Sequence, residues 1–286
     1  MKILVTGKSG QLASEINHIS SSYNYNWTFK FREDFDLSDL ENIFLKLDNI
    51  KPDIIINCAA YTSVDSAEDN FDSANAINNK SVALIAKWCY TNNCKLLHIS
   101  TDYVYGSNIS SEINEDFPTN PVNNYGITKL MGDRACIKAH PMSIIIRTSW
   151  LYSSYGNNFV KKIIELMKIK KELNIVNDQI GSPTYAADLA QVIIKIINSK
   201  IWIPGIYNFS NKGKVSWYDL ANDIKSFYDF SDTIIKPISS KNYLTKAKRQ
   251  NYSLLNNSKI KKNYNIIQEN YKDSLLRCLK ILKNES

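Results

Sequence analysis

Short apolar runs alternate along this chain with longer stretches in which apolar positions recur every three or four residues. "KILVT" and "NYNWTFKF" read as strands separated by a helix that starts at about Gly10. "LSDLENIFLKLDNI" has helical spacing, and "PDIIINCAA" is apolar throughout its centre, as a parallel strand buried on both faces should be. A helix over "DSANAINNKSVALIAKWCYTNN", a strand "KLLHIS", a helix across "NNYGITKLMGD" and a strand "SIIIRTS" follow. Alternation of this kind predicts an α/β protein whose parallel sheet is covered by helices on both faces. Beyond Trp150 the rhythm loosens to a helix "NNFVKKIIELMKIKKEL", a strand "LNIVN", a helix "AADLAQVIIKIINS" and mixed segments. The expected division is a sheet domain over residues 1–150 and a smaller lobe over residues 151–286, with some late segments returning to the sheet. No internal repeat or low-complexity linker interrupts it.

Composition narrows the class of partner. With 44% hydrophobic and 22% charged residues in 286, the chain is globular. The net charge of +7 is dispersed, and the densest basic stretches, "LTKAKRQ" and "SKIKKN", are short. That argues against nucleic acid and fits a small anionic ligand such as a phosphate ester. The 17 tyrosines and 5 tryptophans then read as packing residues, with no nucleic-acid motif beside them. Five cysteines, without a CxxC spacing, are expected as reduced thiols of a cytoplasmic protein. Neither a signal peptide nor an apolar run of the ~18 residues that span a membrane is visible, so no membrane partner is expected. His98 sits inside an apolar strand, while His18 and His140 stand near helix ends or loops. All three are expected to lack the partner that a catalytic or metal-binding histidine needs. The acidic loop "SEINEDFPTNP" is expected to be a solvated loop rather than a working carboxylate pair.

Three patterns carry chemistry. The first is "VTGKSGQLASE", where a strand turns into a helix. Gly7 and Gly10 let the backbone turn sharply and approach a pyrophosphate, whose charge the helix amides favour; Gln11 and Leu12 follow on that turn, and Ala13 need only be small. A glycine pair also suits a plain strand-to-helix turn, and position at the first βα junction is what points to a dinucleotide. The second is "FKFREDFDLSD" at the end of the second strand. Lys30 and Arg32 there favour the 2′-phosphate of NADP(H), with NAD as the alternative, because arginine forks onto phosphate; Asp36 and Leu37 would lie near the adenine. The third is Tyr125 and Lys129, one helical turn apart on the same face. A cation beside a phenol of ordinary pKa ≈ 10 lowers that pKa and makes it a better proton relay. The same spacing is common on exposed helices. What distinguishes it here is "HISTDYVYG", which delivers Ser100, Thr101 and Asp102 to the same carboxyl edge, where a hydroxyl can share a substrate carbonyl with Tyr125.

Taken in order, the glycine turn, "NCAAYT", "STDYVYG" and YxxxK resemble the extended short-chain dehydrogenase/reductases. The strings "GKSGQL", "NCAAYTSVDSAE", "ISTDYVYG", "NNYGITKLMGD", "RTSWLYSSYGNNFV", "VNDQIGSPTY" and "SWYDLA" resemble the dTDP-4-dehydrorhamnose reductase family over residues 3 to about 221. The resemblance implies a doubly wound sheet of Rossmann type with a partly interleaved C-terminal substrate lobe. It further implies NADPH-dependent reduction of the C4 ketone of a dTDP-linked 6-deoxy-hexulose, the last step toward dTDP-L-rhamnose. It assigns Tyr125 as proton donor, Lys129 as its electrostatic partner and ribose holder, and Thr101 as the hydrogen-bonding partner of the substrate oxygen. Asp102 and Trp150 match sugar-contacting positions; Ala59, Ala60 and Tyr61 lie along the cofactor; Asn78 matches a bracing residue. Gln250 stands where a proline is usual. Glu15 matches one position of a magnesium site that some members build at a dimer interface, but Ala187 occupies another, so a homodimer here would lack that metal. Two alternatives stay open: another nucleotide-linked 4-keto sugar handled by a reductase, epimerase or dehydratase, and a non-catalytic NADP-binding regulatory subunit. A dehydratase would want an acidic pair after the threonine, whereas Tyr103 follows Asp102.

Overall fold

The structure, a computed structural model, describes residues 1–107, 109–228, 230 and 232–284. The first half of the chain runs β1 (Lys2–Thr6), α1 (Gln11–Ser20), β2 (Asn26–Lys30), α2 (Ile43–Ile50), β3 (Ile54–Asn57), α3 (Phe71–Asn75), α4 (Ser81–Thr91), β4 (Lys95–Thr101), α5 (Asn124–Ala139) and β5 (Ile144–Thr148). There follow β6 (Leu151–Tyr152), α6 (Phe159–Ile169), β7 (Glu172–Val176), β8 (Ile180–Gly181), β9 (Thr184–Tyr185), α7 (Ala186–Ile197) and β10 (Gly205–Phe209). The remainder is β11 (Val215–Ser216), α8 (Trp217–Tyr228), β12 (Ile234–Ile238), β13 (Tyr252–Ser253), α9 (Ser258–Tyr264) and α10 (Tyr271–Asn284).

Six strands make one parallel sheet in the order β10-β5-β4-β3-β1-β2. The alternation of side chains across each strand explains why both faces are covered. Ile3, Val5, Ile54, Ile56, Leu97, Ile144 and Ile146 point into one buried cluster with α1 and α7. Their neighbours Leu4, Ile55, Leu96 and Ile145 point into the opposite cluster with α2 and α4. An apolar run is therefore what the centre of this sheet needs, and the three isoleucines of "IIIN" and of "IIIRT" supply it, with polar residues following only at the carboxyl ends. The chain leaves β1 in one direction to β2 and in the other to β3, which opens a crevice at the carboxyl ends of β1 and β3, the usual place for a ligand in such a sheet. A third buried cluster lies among α6, α8, α10, β7 and β12. Among the described residues no helix is long and apolar enough to cross a membrane.

Two expected elements differ from what is observed. The helix expected over residues 72–93 is broken by a π-helical segment, Ala76–Lys80. Its cause is the buried Asn78, whose amide accepts from Tyr61 N at 2.8 Å and donates to Tyr61 O and to Thr128 Oγ1, both at 3.1 Å. The widened turn also presses the Asn78 carbonyl onto α5, where a Cβ on Gly132 would stand 2.0 Å from it. Only glycine fits that contact. The helix expected over "NNFVKKIIELMKIKKEL" stops at Ile169, and its tail becomes β7, paired with β12. In "ELNIV" Leu173 and Val176 are buried while Glu172 and Asn174 are exposed, a pattern that suits an edge strand better than another helical turn.

Candidate active site

A cavity of about 540 Å³ opens at the carboxyl edge of the sheet. One wall is the turn from β1 into α1. Gly7 there has φ +76°, and a Cβ on it would meet the Ala59 backbone at 3.0 Å, so the turn requires glycine twice over. Gly10 is the N-cap of α1 and no side chain caps the helix, which leaves its first amides to face an anion. These features fit the pyrophosphate of a dinucleotide. Gly10, Gln11, Leu12 and Ala60 line the cavity. Leu37 is instead in the core, with Ala59 and Tyr61 packed against the same cluster. Lys30 ends β2, and Arg32 just beyond it is 70% exposed, pairing with Asp36 at 3.5 Å. Hydrogen bonds from Ser38 hold the Asp36 carboxyl below its ordinary range despite partial burial.

The opposite wall carries the hydroxyl groups. β4 ends at Thr101, whose Oγ1 donates to Asp102 Oδ1 at 3.1 Å and accepts from Tyr103 N at 3.2 Å, and which lines the cavity together with Tyr125. Burial pushes the Asp102 carboxyl up to about 7, against the hydrogen bond from Thr101 and that from Gln250 Nε2 at 2.5 Å. Gln250, at the position where the family resemblance expects proline, thus grips a residue expected to contact substrate.

α5 begins at Asn123, whose side chain caps Gly126 N at 2.8 Å. It delivers Tyr125 and Lys129 to the cavity, the ammonium almost fully buried. The expected cation–phenol effect does not govern this arrangement. Burial raises the Tyr125 pKa, and the groups acting next most strongly on it are Thr101, Asp102, Tyr103 and Asp133. Lys129 Nζ is turned toward β4, donating to Ile99 O at 2.7 Å and lying 3.3 Å from His98 Nε2. Burial lowers the Lys129 pKa to about 8, with Asp133 opposing that fall. His98, expected to have no functional partner, is therefore in contact with Lys129. A histidine inside an apolar strand is itself the signal, because a buried ring nitrogen must find a partner.

Trp150, just past β5, closes a third side. It is held at φ +47°, a costly conformation for a bulky residue, and two neighbours crowd its ring. Trp217 stacks on it at 3.6 Å with 10° between planes, and a Cβ on Gly181 would strike it at 2.7 Å. Trp217 also lines the cavity and was not singled out in the sequence, although "SWYDLA" contains it. Glu15 is buried and accepts from Ser153 Oγ at 2.5 Å, with its pKa raised by burial.

Residues 1–284 match the family model described as "RmlD substrate binding domain". The chain is 35% identical over 289 residues to a dTDP-4-dehydrorhamnose reductase of Aggregatibacter actinomycetemcomitans, covering 96% of this chain and 97% of that protein. Its fold is similar to the crystal structure of a dTDP-4-dehydrorhamnose reductase from Clostridium acetobutylicum, with a TM-score of 0.95, 36% identity and coverage of 99% and 100%. A dTDP-4-dehydrorhamnose reductase from Bacillus anthracis, solved in complex with NADP, is similar with a TM-score of 0.92, 33% identity and coverage of 100% and 99%.

Proposed function

Because the chain belongs to the dTDP-4-dehydrorhamnose reductase family, we propose that it reduces the C4 ketone of dTDP-4-dehydrorhamnose to give dTDP-L-rhamnose, using NADPH. The observation that carries this reading is that Thr101, Tyr125 and Lys129 line one cavity, opposite the glycine turn. When bound in the crevice held by Gly7, Gly10, Gln11, Leu12, Ala59, Ala60 and Tyr61, NADPH supplies the hydride. Tyr125 gives its phenolic proton to the ketone oxygen. Lys129, charged below about pH 8, stabilises the phenolate and holds ribose hydroxyls. Thr101 has a single proton, which Asp102 accepts in the resting site. A protonated Asp102, accessible near neutral pH because burial raises its pKa to about 7, can donate to Thr101 instead and free that proton for the substrate oxygen. Asp102 and Trp150 contact the sugar.

Purified protein should oxidise NADPH only when a dTDP-4-keto-6-deoxy sugar is supplied, measured at 340 nm as a loss of about one NADPH per ketone reduced. A panel of dTDP-, UDP- and GDP-linked keto sugars decides among the alternatives. Turnover of a different sugar would reassign the substrate, and no turnover with intact NADPH binding would point to a regulatory subunit. All five cysteines lie outside disulfides and four of them are buried, which supports a cytoplasmic setting. Should a homodimer form, Ala187 offers no carboxylate at the second position of the family's metal site.

Cofactor choice rests on Lys30 and Arg32, with Asp36 beside the adenine and Leu37 in the core beneath it. Arg32→Asp should raise KM for NADPH by roughly tenfold and leave KM for NADH nearly unchanged, since a charge-assisted contact contributes about 1.5–3 kcal/mol and exposure places this one at the low end. Equal changes for both cofactors would mean that Arg32 never meets a 2′-phosphate.

A further inference from the structure

Behind Lys129 runs a buried row of polar groups that the reduction does not use. Ala59 N donates to Thr6 Oγ1 at 3.2 Å; Thr6 Oγ1 donates to Asn57 Oδ1 at 2.7 Å; Asn57 Nδ2 lies 3.1 Å from His98 Nδ1; and His98 Nε2 lies 3.3 Å from Lys129 Nζ. Thr6, Asn57, His98 and Lys129 are all buried. The row therefore links the backbone at the dinucleotide crevice to the catalytic ammonium across β1, β3, β4 and α5.

Counting protons along the row gives two arrangements, one for each charge state of Lys129. With the Asn57 amide as it stands, His98 Nδ1 accepts, so Nε2 carries the ring proton and points it at Lys129. A neutral amine accepts that proton, and every link is satisfied. An ammonium has no lone pair, so two donors would face each other at 3.3 Å. A charged Lys129 requires a bare Nε2, hence the ring proton on Nδ1. Asn57 must then turn its amide over, presenting Oδ1 to His98 and Nδ2 to Thr6; the side chain keeps its shape, while Thr6 Oγ1 now accepts from both Ala59 N and Asn57 Nδ2 and its own proton gives up Asn57 Oδ1, a cost set against the bond gained at Lys129. In that arrangement Ile99 O and His98 Nε2 take two ammonium protons and leave the third for the cavity.

We infer that His98 is a positioning residue which stays neutral and changes tautomer whenever Lys129 gains or loses its proton, the Asn57 amide turning over with it. The groups around the pair allow this. Lys129 is acted on by Asp133 and Cys136 of its own helix and by Cys58 just after β3, it shares the cavity with Tyr125, and Arg147 on β5 is paired with Asp133. Burial, then the Lys129 charge, holds the His98 pKa well below its ordinary value, so the ring does not compete for the proton. Lys129 enters through the reading above, but the measurement needs neither substrate nor turnover. A failed sugar panel and a failed tautomer exchange are thus separate results.

The experiment is nitrogen NMR of the full chain labelled with [15N]histidine, with His18→Gln and His140→Gln variants assigning the other two rings. At about pH 6.5 His98 should show a protonated Nδ1 and a bare Nε2; by about pH 10 the two nitrogens should have exchanged roles, with a midpoint at the Lys129 titration, about 8. In Lys129→Met the exchange should be lost and Nε2–H should persist at both pH values. A single tautomer from pH 6.5 to 10 in the unsubstituted protein, or an imidazolium signal over that range, would overturn the inference without recourse to any variant. An exchange that survives in Lys129→Met would also overturn it, by showing that Lys129 does not drive the change.

Discussion

Tyr125→Phe lowers the turnover number by roughly 10²–10⁴-fold, the usual contribution of a positioned general acid, with little change in KM for the keto sugar. The ring keeps its edge-on contact with Tyr103, centroids 5.5 Å apart, so the substitution removes a proton and leaves the wall in place. Steady-state rates of NADPH oxidation at saturating sugar read the effect. The pH dependence sharpens it. Burial holds the Tyr125 phenol above its ordinary range, so the donor stays loaded through neutral and mildly alkaline pH. Lys129 is charged below about 8 and neutral above, so the alkaline limb of kcat/KM belongs to Lys129 and should fall near that value. Near-normal turnover in Tyr125→Phe would place the proton on Thr101, Asp102 or water instead.

What was legible in the sequence follows from what sequence patterns encode. Short apolar runs such as Ile54–Ile56 and Ile144–Ile146 predict strands buried on both faces, and the parallel sheet of β1 to β5 with helices on each side was readable for that reason. The glycine turn and the residues at strand ends were readable because backbone geometry dictates them locally: Gly7 at φ +76° beside Ala59 is such a position. Contacts made across long sequence separations were not. Nothing near Asn78 indicates that Tyr61 and Thr128 will bracket it and widen its helix, and nothing near Trp150 announces that Trp217 will stack on it. The electrostatics failed for the same reason. Helical spacing correctly puts Tyr125 and Lys129 on one face, but it cannot show that His98 and Ile99 will draw the ammonium toward β4, or that burial will dominate the phenol.

Asp133→Asn should cost both stability and alkaline activity, because one carboxylate serves two cations. Asp133 Oδ2 accepts from Arg147 Nε at 3.0 Å, with the two side chains 1% and 3% exposed. Arg147 cannot shed its proton, and its remaining partner in this pocket is the Tyr105 hydroxyl at 2.9 Å. Neutralising Asp133 leaves a buried guanidinium without a counter-charge, a loss of about 3–5 kcal/mol when such a pair is broken from one side. Chemical denaturation reads this as a lower midpoint at unchanged slope. Asp133 is also the leading group that keeps Lys129 charged against burial. Without it the Lys129 pKa drops further below 10.5, the ammonium is lost at lower pH, and the alkaline limb of kcat/KM moves down from about 8. The paired substitution Asp133→Leu with Arg147→Met separates the two effects: it removes both buried charges, so stability should largely return, while the limb should stay displaced because Lys129 still lacks its carboxylate. An unchanged limb in both variants would show that the alkaline loss of activity is not the titration of Lys129.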